Sequence, residues 1–120
     1  MGRGYRDLLV WQKARDLAVW VYKVSDKGEL GRDFGLRDQI RRSAISVPSN
    51  LAEGDERDTD KEAVRFFYMA KGSLAELRTQ LEIACEVDYL ERDEFARLDD
   101  RCAEIGRMLG KLIKARCPHP

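Results

Sequence analysis

The chain has 120 residues, enough for one domain with a core of its own. Lys plus Arg and Asp plus Glu both number 22, so the net charge is zero, which argues against a uniformly basic nucleic-acid binder and an acidic-tail protein. Three cysteines without a Cys-x-x-Cys pair argue against a disulfide scaffold or zinc site. The lack of a long apolar run or signal-peptide pattern predicts a cytoplasmic protein with no membrane partner.

Apolar residues recur at spacings of three and four, not two, which predicts an all-α chain. Four helices are expected, over about 6–25, 33–53, 60–87 and 92–115, in a single domain spanning 1–120. Short links between amphipathic helices favour an antiparallel up-down-up-down four-helix bundle. In the first helix Leu8, Trp11, Ala14, Ala18, Val21 and Tyr22 form a stripe that Val10, Leu17 and Val24 widen, so burial on more than one side is expected. Trp20 falls off that stripe, either facing a partner or lying flat over a loop. The stretch from Lys27 to Arg32 is glycine-rich and predicts a break.

The second helix has Leu36, Ile40, Ala44, Val47 and Leu51 on its core face, with Pro48 inside it. An interior proline removes a backbone donor and crowds the carbonyl four residues back, at a cost of about 3 kcal/mol, so a bend near Ala44–Ser46 is expected. Ser46, Ser49 and Asn50 stand ready to bond the disturbed backbone. Gly54 is expected to follow the helix in the left-handed region. Thr59 to Glu62 fits a capping box opening the third helix, whose seam is Ala63, Phe66, Phe67, Ala70, Leu74, Leu77, Leu81 and Ala84. Gly72 and Ser73 would admit a close neighbour. The fourth helix turns Phe95, Leu98, Cys102, Ile105, Leu109, Leu112 and Ile113 inward, and Gly106 and Gly110 suggest a close crossing. Cys85 and Cys102 read as small core residues, and Pro118-His119-Pro120 as a frayed end.

Nearly the whole chain resembles one family. The opening Leu8-Leu9-Val10-Trp11-Gln12-Lys13-Ala14, with Leu17-Ala18 and Val21-Tyr22, is similar to the start of the bacterial four-helix-bundle proteins, also called 23S rRNA intervening-sequence proteins. Phe34-Gly35-Leu36 and Gln39-Ile40-Arg41-Arg42 continue the likeness. Ser46-Val47-Pro48-Ser49-Asn50-Leu51-Ala52-Glu53-Gly54 is its most specific part, and Gly72 to Leu77 and Asp88-Tyr89-Leu90 close it. The resemblance implies a four-helix bundle assembled in rings of five. It also implies kinship with the accessory proteins of diversity-generating retroelements, which bind nucleic acid and a reverse transcriptase. A homopentamer, an RNA or DNA ligand and a reverse transcriptase partner are therefore expectations of the resemblance.

The residues supply little reaction chemistry. The one histidine, His119, lies in the tail, so Ser-His or Cys-His nucleophiles and Glu-x-x-His metal pairs lack their partner. No catalytic residue, cofactor or metal is expected, and the function read is a non-enzymatic oligomeric scaffold or binding protein. A protein-interaction bundle with no nucleic-acid role is the alternative. Candidate phosphate contacts are Arg37 and Arg41 on the second helix and Arg107, Lys111, Lys114 and Arg116 on the last. The competing reading of the last-helix group, cations suited to a helix C-terminus, is the stronger. No aromatic interleaves with them as on a single-strand stacking surface. Arg42, Ser46, Asn50 and Glu53 form a polar row beside Pro48 and Gly54. That row is read as a buried or inter-subunit hydrogen-bond network that fixes the bent, proline-bearing helix, in preference to an anion clamp with a base.

Overall fold

The computed structural model describes residues 4–117. A 3-10 turn, Gly4–Asp7, leads into α1 (Leu9–Val24), followed by α2 (Gly28–Arg32), α3 (Phe34–Asp55), α4 (Asp60–Glu86) and α5 (Arg92–Arg116). No strand occurs among the described residues. α1 packs on α3, α3 on α4, α4 on α5, and α5 returns to α1. The four long helices thus close a bundle whose longest axis is 47 Å. His119 and its flanking prolines lie outside the described residues.

The periodic apolar positions meet in one core. Ala14, Leu17 and Val21 of α1, Ile40, Val47 and Leu51 of α3, Phe67, Leu77 and Leu81 of α4, and Leu98, Ile105 and Leu109 of α5 are all buried. Each Leu, Ile, Val or Phe there contributes about 1.5–3 kcal/mol through area removed from water. Cys85 and Cys102 sit in this core as small apolar residues, whereas Cys117 is exposed. Tyr22, expected on the α1 stripe, is exposed instead.

Three local departures from the periodicity have physical causes. α1 begins at Leu9, later than expected, because Gly4–Asp7 coils as a 3-10 turn. That turn is held by the Tyr5 ring edge-on to Trp11 at 5.1 Å and by the Gln12 amide donating to the Arg6 carbonyl at 2.7 Å. The glycine-rich stretch is a short helix, α2, which turns Leu30 into the core. A third correction concerns Gly54, which stays inside α3 and lacks the left-handed φ. Its role is close approach: an added Cβ would lie 2.7 Å from Phe67 Cε1 and 3.0 Å from the Ala63 carbonyl. α3 and the start of α4 can therefore come this near only with a hydrogen at that position.

The helix ends follow their caps. Asp33 accepts from the Leu36 amide at 3.1 Å and opens α3, and Thr59 accepts from the Glu62 amide at 3.2 Å and opens α4. Asp33 also lies beside the Tyr89 phenol and holds its pKa above the ordinary range. At the end of α4, Asp88 adopts φ 66°. The Tyr89 amide donates to the Ala84 carbonyl at 2.8 Å and the Asp88 amide to Cys85 at 3.0 Å, a Schellman ending with aspartate where glycine is usual.

Pro48 lies within α3 and is buried. Beside it the Asn50 amide donates to both the Ser46 carbonyl and the Ser46 hydroxyl at 2.9 Å, and Ser46 Oγ meets Ser73 Oγ of α4 at 2.8 Å. One turn earlier Ser43 Oγ donates to Gln80 Oε1 at 2.6 Å in a buried contact. These pairs give the α3–α4 seam a fixed register, because leaving one partner unmet costs about 1–3 kcal/mol. On the other side of α4, Arg78 grips Asp99 of α5 through two bonds of 2.7 and 3.0 Å. That hydrogen bond is the main reason the Arg78 pKa is raised. Trp20 packs half-buried on the core, and its indole donates to Glu94 of α5 at 3.1 Å.

Candidate functional site

The cations separate into two groups by what they touch. Arg41 reaches from α3 to the end of α1, donating to Ser25 Oγ at 2.7 Å and to the Tyr22 carbonyl at 3.1 Å. Its guanidinium also lies 4.5 Å from the Tyr22 ring centre. A cation on the last carbonyls of a helix complements the negative end of the dipole. Arg37 donates to Asp38 at 3.1 Å and to the Gly31 carbonyl at 3.3 Å, over the Phe34 ring. Arg116 donates to Asp60 at 2.7 Å and approaches Asp55 at 3.5 Å, tying the end of α5 to α3 and α4, and the Asp60 bond leads the causes that raise its pKa. All three side chains hold the fold together.

Arg107, Lys111 and Lys114 differ. They lie on one exposed face of α5, and none has an acidic partner among the described residues. Lys71 of α4 is likewise exposed and unpaired, and it shares with Lys114 a surface depression of about 340 Å³. Tyr68, Gly110, Ile113 and Cys117 complete its lining. Tyr68 is 54% exposed and lines the depression together with Lys71 and Lys114. No Asp or Glu occurs between Ala63 and Ala75 on α4, or from Ile105 to the end of the chain. Zero net charge therefore hides a segregated surface.

Spacing along each helix places no aromatic among the basic residues, but in the fold Tyr68 shares a depression with Lys71 and Lys114. Lys114 is in α5, but Tyr68 and Lys71 come from α4, and only the packing of the two helices brings them together. The acid-free stretches of both helices are visible in the sequence and were the available signal. The close crossing expected at Gly106 and Gly110 is also corrected. A Cβ on Gly106 would make an ordinary 3.6 Å contact with Leu74, and Gly110 and Gly72 face open space.

The polar row on α3 is divided. Ser46 and Asn50 join the α3–α4 network, while Arg42 and Glu53 are exposed on separate surface hollows. Arg42 lines one with Tyr22, Asp38, Arg41 and Ile45, and Glu53 the other with Tyr5, Ala52, Glu56 and Arg57. Within the single chain the row is thus not one network, since no hydrogen bond or ion pair joins Arg42 or Glu53 to Ser46 or Asn50 among the described residues. A third surface runs between α1 and α3: a groove of about 410 Å³ with Ala18, Val19, Tyr22, Ile45 and Pro48 on its walls and Arg15 and Lys23 at its edge. Among the described residues no group of three or more His, Cys, Asp or Glu side chains is arranged to hold a metal, and no helix is long and apolar enough to cross a membrane.

The family model for the 23S rRNA-intervening sequence protein matches residues 6–111, most of the chain. The protein belongs to the 23S rRNA-intervening sequence protein family. A solved relative in fold is a protein of unknown function from the S23 ribosomal protein family of Bacteroides thetaiotaomicron, with a TM-score of 0.82 at 23% identity. The alignment covers 88% of this chain and 99% of that one. Among curated proteins none matches. Membership thus secures the helical bundle of this 23S rRNA-intervening sequence protein, and its surfaces carry the functional argument.

Proposed function

We propose that the protein is a non-enzymatic helical scaffold of the cytoplasm that assembles with copies of itself and holds nucleic acid on its α4–α5 face. The observation that carries this reading is the charge segregation: Lys71, Arg107, Lys111 and Lys114 stand exposed where both helices lack carboxylates. Phosphates approaching that face displace counterions from their own backbone and meet no local repulsion. The sole histidine lies in the tail, in keeping with a binding role and not a catalytic one. The test is fluorescence anisotropy of a labelled oligonucleotide against salt. Four phosphate contacts give a log–log slope of about −3 to −4, and a flat response removes the nucleic-acid reading.

Self-assembly has its own support in the apolar α1–α3 groove, where Val19 and Ile45 are about half exposed. Family resemblance suggests five copies, so light scattering should give a mass near five times 13.8 kDa. The same groove suits a protein partner such as a reverse transcriptase. If oligonucleotide binding is absent, an interaction bundle built around that groove becomes the function.

A further inference from the structure

The proposed nucleic-acid face has features that charge alone does not call for. Tyr68 lines one depression with Lys71 and Lys114 and is 54% exposed. A helical side chain leans toward the N-terminus and covers the residue four positions before it. The residue that would cover Tyr68 in this way is Gly72, which has no side chain and faces open space. Across the depression Gly110 of α5 is equally bare. Both glycines sit inside helices, where glycine is less favourable than alanine. Neither is needed for helix packing, since an added Cβ at either position would meet nothing within 4 Å. Their effect is to leave Tyr68 accessible, with Lys71 and Lys114 in the same depression and Arg107 and Lys111 further along the same face of α5.

From this we infer that the face binds single-stranded nucleic acid, with one base stacked on Tyr68 and the flanking phosphates on Lys71, Arg107, Lys111 and Lys114. This rests on the nucleic-acid reading above and adds the strand state and the base contact. A duplex keeps its base faces inside the stack, so it can use the cations but not the ring. An unpaired base presents its face, and every base has one, so the contact is tolerant of sequence. The three cations of α5 run roughly 10 Å along the helix, so they can follow the backbone on either side of the stacked base.

The experiment measures anisotropy of a fluorescein-labelled oligo-dT of about 12 nucleotides, within the usual site size for single-strand binding, and of a duplex of equal length. Tyr68→Ala, Tyr68→Phe and the unaltered protein are compared, with circular dichroism confirming the helical fold. Tyr68→Ala should weaken single-strand binding by about 5- to 100-fold. Tyr68→Phe should retain it, and duplex affinity should not change in either variant. Equal single-strand affinity in Tyr68→Ala and the unaltered protein overturns the stacking inference while the electrostatic reading survives. An equal loss for single strand and duplex in Tyr68→Ala also overturns it, by making the residue a general support of the face. Absence of binding to both probes at low salt overturns the nucleic-acid reading and this inference together.

Discussion

Replacing Gly54 by alanine tests how tightly α3 seats against α4. The new Cβ would sit 2.7 Å from Phe67 Cε1, 3.0 Å from the Ala63 carbonyl oxygen and 3.0 Å from Phe66 Cβ. Two of these neighbours have no room to move: the Phe67 side chain is fully buried, and the carbonyl belongs to the first turns of α4. Overpacking of this kind costs about 1–3 kcal/mol. Alanine returns at most about 1 kcal/mol as the better helix former. Three clashes at once place the cost in the upper part of that range, about 2–3 kcal/mol, so the net loss is about 1–2 kcal/mol, which for a chain this long lowers Tm by roughly 4–8 °C. The control is Gly110→Ala, whose Cβ meets nothing within 4 Å. It should gain propensity alone and raise Tm by about 2–4 °C. Thermal melts at one protein concentration, followed by circular dichroism and checked in urea, separate the two variants. If Gly54→Ala melts at or above the unaltered protein, or both variants shift in the same direction, the close-approach argument is wrong.

Trp20→Phe keeps most of the ring but removes the donor to Glu94. Because the site is half-buried, a loss of about 1 kcal/mol is expected in urea titration, and none if Glu94 is already alanine, which has no acceptor. Breaking the Arg78–Asp99 pair, 42% and 32% exposed, should cost under about 1 kcal/mol and less at high salt. Cys117 should alkylate quickly in the native protein, whereas the buried Cys85 and Cys102 should react only on unfolding, which mass spectrometry resolves. Burial pushes the Cys102 thiol up to about 12 from an ordinary 9.0. Its contribution to stability is therefore whole below pH 9 and is lost as pH rises toward 12, since the unfolded thiol ionises first. Cys102→Ala should flatten that alkaline decline in a stability–pH series, and an unchanged slope would rule the thiol out as its source.

The long helices were legible because each carries a core stripe at helical spacing, strong enough for the ends of α4 to be placed within one residue. Pro48 was readable as an interior residue since the pattern from Ile40 to Leu51 continues through it. The α2 helix was not, because two glycines in a short stretch outweigh a single Leu30 that only tertiary packing draws inward. Gly54 shows the same limit. A glycine near a helix end reads locally as a stop, and only the proximity of Phe67 reveals its packing role. The candidate face was half visible. Spacing along α5 placed Arg107, Lys111 and Lys114 together, but no pattern within one helix could add Tyr68 and Lys71. Arg41 and Arg116 looked equivalent to them until their oxygen partners, supplied by other elements, were known.

The uneven distribution of charge around a neutral total also bears on how a polyelectrolyte is met. Beyond about one Debye length, ~8 Å at physiological ionic strength, there is little net attraction, so distant polyanions are not gathered indiscriminately. If the α4–α5 face holds nucleic acid as proposed, then inside that distance the acid-free side is drawn in and the carboxylate-rich remainder is turned away. An encounter of that kind would come with its orientation already chosen, set by which flank carries the cations and not by the total charge.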